Sequence, residues 1–527
     1  MLLLAAVGLA GCTDDDGGSD GNADGTTTAP PDEIVEGGTV RLGLAGPVVV
    51  DPIDANLASP SDLMVLDLLH DGLTRLDADG EPQPALATSW RSNASLTAWR
   101  FTLDPDATFA SGRPVTAVDV ISSLERVAKA GDTSLAALRL ETIGGFRDFV
   151  SGTAEHLAGL TAPDPATVRV ALDTPLSVLP TILASPVFGV VDVESLEAAT
   201  TDGDLEALDL SGRWDVDDAD DRTTRVQRRD DGSGHLDGVE LRSYEDGEAA
   251  YDGFDDGDVD WVLVPHDRYG DAVEAHGADD FAPFHAELFF GLNVKSPSLG
   301  NAELRKAIAA AIDREAIVDA VYPDLADPLR TVVPAGVPGH DPDRCPPCAH
   351  DVEQAKAIVA AAFPDGQVPP VRIDFDESPP QEAMARLVAA DLQAVGIPTE
   401  LRPQPLEDYK RFVVSGAQEL FSFGWIGGYA SPDAYLAPLF SSRASDNLTG
   451  YSAPAVDASL GAARTNPDPA SAAAQWAAAE AQVLADAVVV PVAQFRTQAV
   501  VAERTQGLQH AVDGSVDWSA VWVTDGR

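Results

Sequence analysis

Two cysteines at C-x-x-C spacing are the first side chains in this sequence whose types and spacing suggest chemistry. Cys345 and Cys348 are separated by two prolines, and His340 and His350 lie close to them. The spacing is compatible with a redox-active dithiol, half of a zinc site or a structural disulfide. A catalytic dithiol would begin a helix after a strand, whereas this pair lies in a proline-rich loop. If the chain works outside the cytoplasm, where disulfides persist, we expect a Cys345–Cys348 disulfide and no bound metal.

Enzyme motifs are weak or missing in the sequence. Residues 17–21 fit the G-x-S-x-G pattern of serine hydrolases, but they lie in an acidic, glycine-rich stretch instead of a strand–turn–helix. The sequence contains neither a G-x-x-x-x-G-K-[ST] loop for ATP nor an H-E-x-x-H zinc motif. Among 86 acidic residues, carboxylate pairs arise easily by chance, so a glycoside hydrolase is a formal alternative. We expect no enzyme activity and no cofactor.

The chain begins with an uncharged apolar segment, MLLLAAVGLAGC, followed by a polar, acidic stretch. A segment of this kind is typical of an export signal and is too short to span a bilayer. Its Leu-Ala-Gly-Cys ending resembles the lipobox of bacterial lipoproteins, in which the cysteine is lipidated. We therefore expect a lipoprotein signal at 1–12 with lipidation at Cys12, and a flexible linker at 13–36. The protein would be anchored at the outer face of the cytoplasmic membrane, or be periplasmic; an ordinary cleaved signal is the alternative.

The chain is strongly acidic, with 86 Asp and Glu against 34 Lys and Arg and a formal net charge of −52. Nucleic acid is excluded as an expected partner, because neutralising phosphates requires clustered Lys and Arg. The simplest interpretation of the acidic runs is a solvated, soluble surface. The hydrophobic fraction of 45% is enough for sizeable cores, and no later stretch is long and apolar enough for a transmembrane helix.

Hydrophobic alternation and capping residues predict the elements that would position a site. Alternating apolar residues predict strands at 40–44, 99–103 and 371–375, and 397–401 is a further expected strand. Helix N-caps or capping boxes are predicted at Thr116, Asn301, Asp313 and Asp351. A helix beginning after Ser378 would connect the strands at 371–375 and 397–401 as a parallel crossover. The second half of the chain therefore contains α/β structure.

Several long blocks resemble the family 5 extracellular solute-binding proteins of ABC importers, which include oligopeptide, dipeptide and nickel binders. The blocks are PALATSW at 84–90, FASGRPVTAVDV at 109–120, LRKAI at 304–308, AIDREAI at 311–317 and FGW at 423–425. The resemblance covers about residues 37–527. It implies an α/β, two-lobed clamshell of the periplasmic-binding-protein type II, with an extra subdomain in lobe I.

The resemblance also implies a domain arrangement. Lobe I would comprise 37–285 and the C-terminal return 493–527, with the extra subdomain at 56–179, and lobe II would comprise 286–492. Apolar runs at 289–293 and 490–493 are the expected hinge crossings.

The implied function is the substrate-binding subunit of an ABC importer, which captures peptides or peptide-like solutes between its lobes. Its partners would be permease and ATPase subunits, and the protein itself would be a monomer. Two alternatives stay open: a receptor that reports a solute to a membrane signalling partner, and a binder of a non-peptide solute such as a sugar or a metal chelate.

Four residues are the predicted ligand-binding set: Trp425, Tyr429, Gly428 and Asn293. Trp425 and Tyr429 would present aromatic faces, and Asn293 lies beside an expected hinge. In peptide binders of this family, an Asp after Gly-Trp usually meets the amino terminus of the peptide. Gly428 occupies that position here, so the usual amino-terminal contact is missing. Asp433 lies further along, and we expect it to have a structural role.

Overall fold

The computed structural model of the chain describes residues 34–77, 80–131, 134–229, 233–277, 281–345 and 349–525. The predicted signal with Cys12, most of the expected linker, and Cys348 lie outside the described residues. The β-strands, in chain order, are β1 Thr39–Ala45, β2 Thr74–Leu76, β3 Pro82–Pro84, β4 Ala87–Ser92, β5 Ala98–Leu103, β6 Leu160–Asp164, β7 Thr167–Ala171, β8 Trp214–Ala219, β9 Thr223–Arg228, β10 Gly238–Tyr244, β11 Trp261–Leu263, β12 Pro283–Leu292, β13 Ala326–Pro328, β14 Val371–Asp376, β15 Thr399–Gln404, β16 Leu420–Ile426, β17 Val489–Arg496, β18 Ala499–Val501, β19 Thr505–Gln506 and β20 Trp522–Val523. The α-helices are α1 Pro60–Leu69, α2 Ala117–Ala128, α3 Leu135–Leu138, α4 Phe146–Val150, α5 Leu179–Ile182, α6 Val193–Asp202, α7 Gly247–Asp255, α8 Tyr269–His276, α9 Ala302–Ala311, α10 Arg314–Val321, α11 Val352–Ala362, α12 Pro379–Ala394, α13 Leu406–Val414, α14 Asp433–Phe440, α15 Pro454–Arg464 and α16 Pro469–Ala485.

The first large sheet contains the strand near the start of the folded chain and a strand near its end. Its order is β18-β11-β1-β10-β9-β8, and β1 is parallel to both β10 and β11. Val40, Leu42 and Leu44 of β1 are buried, which confirms the predicted strand. The sheet therefore joins segments from the first half of the chain to its C-terminal return.

The second large sheet has the order β13-β17-β12-β16-β14-β15. Strands β14 and β15 are parallel and are connected by α12, which confirms the predicted crossover. Apolar cores cover both faces of the sheet, one built around Ile373 and Met384 and the other around Phe421 and Tyr435. Helices on both faces are the usual way in which a sheet with parallel strands is buried.

A smaller antiparallel sheet, β4-β5-β7-β6, lies in the segment expected to form the extra subdomain. Trp99, Phe101 and Leu103 of β5 are buried, as their alternation predicted. At the start of α2, the Asp119 carboxylate accepts a hydrogen bond from the Thr116 N–H at 2.8 Å, and the predicted capping box is present. The core of this unit also includes Phe284, Ala286 and Ile426, so it packs against β12 and β16 of the second sheet.

The three predicted helix caps in the second half of the chain are confirmed. A side-chain oxygen of Asn301, Asp313 and Asp351 accepts a hydrogen bond from a first-turn N–H at 2.9, 3.0 and 2.8 Å, respectively. These bonds satisfy N–H groups that have no partner within the helix.

The chain passes between the first and second sheets at two adjacent places, in 264–282 after β11 and in 497–498 before β18. The Thr497 N–H donates to the Ala282 carbonyl at 2.6 Å, and the Val264 N–H donates to the Gln498 carbonyl at 2.8 Å. This corrects the expected crossings at 289–293 and 490–493, which lie within or at the end of the paired strands β12 and β17. The apolar character of those runs reflects burial of both strands inside one sheet. The lobe boundaries derived from the sequence stay a prediction.

Candidate functional site

The candidate site is a cavity of about 1040 Å³ between the unit built on the small antiparallel sheet and the second large sheet. One wall is formed by residues of 135–147 and 176–182, in and after α3 and in α5. The other wall is formed by residues of 425–446 and 457–464, from the end of β16 through α14 and α15. The two walls thus come from segments far apart in the sequence, which is the arrangement expected of a ligand cleft.

Trp425 lies on the cavity wall at the end of β16 and is partly buried. Its indole Nε1–H donates to the Ala434 carbonyl at 2.9 Å, which fixes the orientation of the ring against the first turn of α14. An indole held in this way offers an apolar face to a solute without further ordering. Its predicted role in ligand binding fits this position and stays a prediction.

Tyr429 also lines the cavity, and its hydroxyl donates to Asp433 Oδ2 at 2.7 Å. Asp433 is 1% exposed, and its Oδ1 lies 3.0 Å from Arg464 Nε of α15 in an ion pair. Burial and the Asp433 carboxylate raise the pKa of Tyr429 well above its ordinary value, so the phenol is neutral. Asp433 therefore connects two wall segments, consistent with its expected structural role.

Gly428 lines the cavity at a place where a side chain would collide with Arg139. A Cβ at Gly428 would lie 2.0 Å from Arg139 Nε and 2.3 Å from its Cζ. The guanidinium is thus packed directly on the Gly428 backbone, in the space that an aspartate side chain would need. Arg139 follows α3, lines the cavity and is partly buried. Desolvation lowers the pKa of Arg139 to about 10, which leaves it charged at neutral pH.

Sequence reasoning missed Arg139, because the residues around it form no recognisable motif. The available signal was indirect: a glycine at the position where an aspartate is expected leaves room for another group. The neighbouring Gly427 is similar, since a Cβ there would lie 2.0 Å from the Tyr435 hydroxyl. The Gly-Gly pair therefore admits a cation and a phenol from two different segments.

Asn293 is not among the residues that line this cavity, and its place in the predicted ligand-binding set stays a prediction. Its side-chain Nδ2 donates to the carbonyls of Gly416 and Gln418 at 3.0 and 2.8 Å. Its Oδ1 accepts from the Lys295 N–H at 3.0 Å. All three bonds are to the backbone, so Asn293 holds the end of β12 against the loop that precedes β16. An Asn at the end of a strand is well suited to this local role.

A buried carboxyl group lies next to the site. Glu287 of β12 is directly opposite Trp425 in the strand register and is 0% exposed. Neither of its carboxyl oxygens has a hydrogen-bond partner among the described residues. Burial raises the pKa of Glu287 well above its ordinary value of 4.5, and the nearby Glu480 carboxyl raises it further. Burial without a hydrogen-bond partner therefore favours the protonated, neutral form of this carboxyl group on the strand next to Trp425.

The structure also bears on the cysteine loop and on metal binding. Cys345 is disulfide-bonded, and Cys348, its expected partner, lies outside the described residues. His340 Nδ1 lies 2.8 Å from the Val333 carbonyl, and His350 Nδ1 lies 3.3 Å from Asp313 Oδ2. Within the described ranges, no group of three or more His, Cys, Asp or Glu side chains is arranged to hold a metal ion. No helix in the same ranges has the length and apolar character needed to cross a membrane.

Comparison with known proteins places the chain in a family. The family model for bacterial extracellular solute-binding proteins, family 5 Middle, matches residues 81–447. The periplasmic murein peptide-binding protein MppA of Escherichia coli is 26% identical over 466 residues, covering 85% of this chain and 86% of MppA. The dipeptide-binding protein DppE of Bacillus subtilis is 23% identical over 475 residues, covering 86% of each chain.

The fold agrees with this match. The unliganded open form of the MppA murein tripeptide-binding protein superposes with a TM-score of 0.83 at 23% identity, covering 94% of this chain and 99% of that one. The α/β fold of type II periplasmic binding proteins, expected from the sequence, is thereby confirmed. The chain belongs to the bacterial extracellular solute-binding proteins of family 5.

Proposed function

We propose that this protein captures peptides or peptide-like solutes in the cleft between its two walls and delivers them to the permease and ATPase subunits of an ABC importer. The observation that carries the proposal is the cavity of about 1040 Å³, with the oriented indole of Trp425 on its wall. Ligand pockets in proteins are typically of about 300–1,000 Å³, so the space suits a small peptide. The murein peptide-binding and dipeptide-binding functions named for MppA and DppE support the same ligand class.

The direct test is the identity of the ligand that the protein carries. Protein purified without denaturation should release peptides or peptide-like solutes on unfolding, and mass spectrometry should detect them. Thermal-shift screening of peptide, sugar and metal-chelate libraries should give stabilisation by peptides. Stabilisation by sugars or chelates alone would contradict the proposal.

According to the proposed function, the protein binds its ligand without changing it chemically. A peptide that stabilises the protein should be recovered with unchanged mass after prolonged incubation. Cleavage that scales with protein concentration, and that survives further purification, would favour the hydrolase alternative instead.

We further propose that the protein acts as a monomer attached to the outer face of the membrane through lipid on Cys12. Labelling cells with radioactive palmitate should mark the wild-type protein and not a Cys12→Ser variant, and the variant should leave the membrane fraction. Equal labelling of both proteins would contradict this anchor. Light scattering of the protein without its N-terminal segment should give the mass of one chain.

A further inference from the structure

We propose that the ligand presents a carboxylate group to Arg139, so that an anionic group of the solute binds at the Gly428 end of the cleft. This inference rests on the proposed peptide binding and specifies which chemical group of the solute is recognised there. The carboxylate has two possible sources, a C-terminus or an acidic side chain, and the experiment below distinguishes them.

Arg139 is a cation without a carboxylate partner among the described residues. Its Nη1 lies 3.5 Å from the Ser185 hydroxyl, at the limit of a weak hydrogen bond. Tyr429, Tyr435 and Asp513 partly offset the lowering of the Arg139 pKa by desolvation, and Asp513, the one carboxyl group among them, forms no ion pair with Arg139. Burial raises the pKa of Asp513 itself, and its Oδ1 accepts from the Ser515 N–H and hydroxyl. The guanidinium therefore keeps donors available toward the cavity.

The other side chains around Arg139 are neutral. Burial raises the pKa of both Tyr429 and Tyr435 well above its ordinary value, so neither forms a phenolate near neutral pH. Desolvation and the charge of Arg139 lower the pKa of His285 to about 3, so this imidazole is uncharged as well. Since a charge in a partly desolvated place is costly without a counter-ion, an anionic ligand group would stabilise this corner of the cleft.

Two of the other three arginines of the cavity wall are close to carboxylates of the same wall. Arg464 is paired with Asp433 at 3.0 Å, and Arg147 lies 3.5 Å from Glu141. Four arginines and four carboxylates line the cavity: Arg139, Arg147, Arg443, Arg464, Glu141, Asp433, Asp446 and Asp457. The wall is thus formally neutral in a chain with 34 basic and 86 acidic residues. Arginine is therefore more frequent on the cavity wall than in the rest of this acidic chain. A surface that served only to keep the protein in solution would not need this enrichment.

Gly428 makes the position of Arg139 possible. A Cβ at this residue would lie 2.4 Å from Arg139 Nη2, so any side chain would displace the guanidinium. The backbone of Gly428 has no left-handed torsion, so the close approach, and not the backbone conformation, requires glycine. The sign of the charge at this point of the cleft is therefore positive. A guanidinium donates two parallel hydrogen bonds to a carboxylate. An ammonium group of a ligand has no acceptor for these hydrogen bonds and carries the same charge as Arg139.

The first experiment compares two pools of tripeptides by isothermal titration calorimetry. One pool is N-acetylated with a free C-terminal carboxylate, and the other has a free amino terminus and an amidated C-terminus. Both pools exclude acidic residues. We expect the acetylated pool to bind and the amidated pool not to bind. A third pool, acetylated and amidated with a central Glu, tests the side-chain source against a matched pool with Gln.

Variants then connect the preference to Arg139. Arg139→Gln should weaken binding of the carboxylate-bearing peptides by about tenfold or more, since hydrogen bonds to charged groups contribute about 1.5–3 kcal/mol. Arg139→Lys should retain part of the affinity, and the exposed Arg91→Gln should retain all of it. The double variant Arg139→Ser with Gly428→Asp replaces the cation by an anion, and it should prefer the pool with free amino termini.

The outcomes separate this inference from the proposed function. Binding of the amidated free-amine pool alone, unaffected by Arg139→Gln, would overturn the carboxylate contact and leave peptide capture intact. If none of the pools binds at millimolar concentration while a sugar or chelate does, both proposals are wrong. Equal losses of peptide affinity in Arg139→Gln and Arg91→Gln would also overturn the inference. The loss of one positive charge anywhere on the protein would then explain the weaker binding.

Discussion

At the scale of single residues, Trp425 and Arg139 carry the proposed recognition. The indole is held by the Ala434 carbonyl, and the guanidinium lies on the Gly428 backbone. Trp425 comes from one wall and Arg139 from the other, so one cavity contains both an aromatic face and a cation. Aromatic surface supplies affinity with little side-chain specificity, whereas a charged group in a partly desolvated place selects between ligands.

Replacing Trp425 should weaken ligand binding while leaving the fold intact. We expect Trp425→Ala to lose about fivefold or more in affinity for a peptide that binds the wild-type protein, because truncating an aromatic anchor typically costs more than about 1 kcal/mol. Trp90→Ala is the matched control, since Trp90 is also partly buried but lies on β4, away from the cavity. Calorimetric affinities that are unchanged in Trp425→Ala would remove this residue from the site.

Glu287 makes the stability of the protein depend on pH. Because the pKa of Glu287 is raised in the folded state, the folded protein binds more protons than the unfolded chain above about pH 4.5. The free energy of unfolding therefore falls with rising pH until the raised pKa is passed, by at most about 1.4 kcal/mol per pH unit. The stability that Glu287 contributes through its raised pKa is fully present below the ordinary pKa of the carboxyl. It is lost as the pH rises from there through the raised pKa.

Glu287→Gln should remove this dependence. We expect the variant to be more stable than the wild type by about 1 kcal/mol or more near pH 7, with the difference shrinking toward about pH 4.5. Urea unfolding monitored at several pH values measures it. The exposed Glu155→Gln serves as the control and should show no such trend. A difference that stays constant with pH would mean that Glu287 is ionised in the folded protein.

At the scale of elements, helix caps are the local features that the sequence predicts best. Asn301 is the N-cap of α9, and its Oδ1 accepts from the N–H groups of Glu303 and Leu304 at 2.9 and 3.4 Å. A cap needs only a short polar side chain next to an apolar helical pattern, and both are visible in the sequence. By contrast, an apolar run does not reveal whether a strand crosses between lobes or lies within one sheet, as residues 289–293 and 490–493 illustrate.

Removing the Asn301 cap should destabilise the protein modestly. We expect Asn301→Ala to lower the free energy of unfolding by about 1 kcal/mol, because two N–H groups of the first turn lose their acceptor. Asn301→Asp keeps an acceptor in the same place and should stay close to the wild type. The denaturation midpoint in urea measures both variants, and equal losses in the two would show that the cap itself does not stabilise α9.

At the scale of the whole molecule, binding in the cleft should draw its two walls together. A ligand that contacts both walls favours the closed arrangement by the difference of its affinities for the two states. The two adjacent crossings, at 264–282 and 497–498, are the places where the chain passes between the large sheets. We therefore expect these connections to absorb the movement.

Small-angle X-ray scattering should detect this closure. The radius of gyration should decrease when a binding peptide is added at saturation, and Trp425→Ala at the same peptide concentration should change less. Saturation at 100 times the dissociation constant should also raise the free energy of unfolding by about 2.7 kcal/mol, which a thermal shift reports. Identical scattering profiles with and without a confirmed tight binder would refute the clamshell mechanism.

The site was predictable from the sequence only in part. Trp425, Tyr429 and Gly428 belong to one short segment after β16, and family resemblance was enough to place that segment at a cleft. Asn293 was selected for its position beside an expected hinge, but its side chain bonds to the backbone of a loop far along the chain. Arg139 was missed because nothing in its own neighbourhood distinguishes it.

The sequence by itself determined the local elements, the helix caps, the parallel crossover around α12 and the resemblance to solute-binding proteins, because each depends on residues that are close in the chain. The tertiary structure decided which side chains share the cavity. The packing of Arg139 on Gly428 and the burial of Glu287 opposite Trp425 both join segments that only folding brings together. Charge and space at the cleft are properties of such pairs, and no local pattern encodes them.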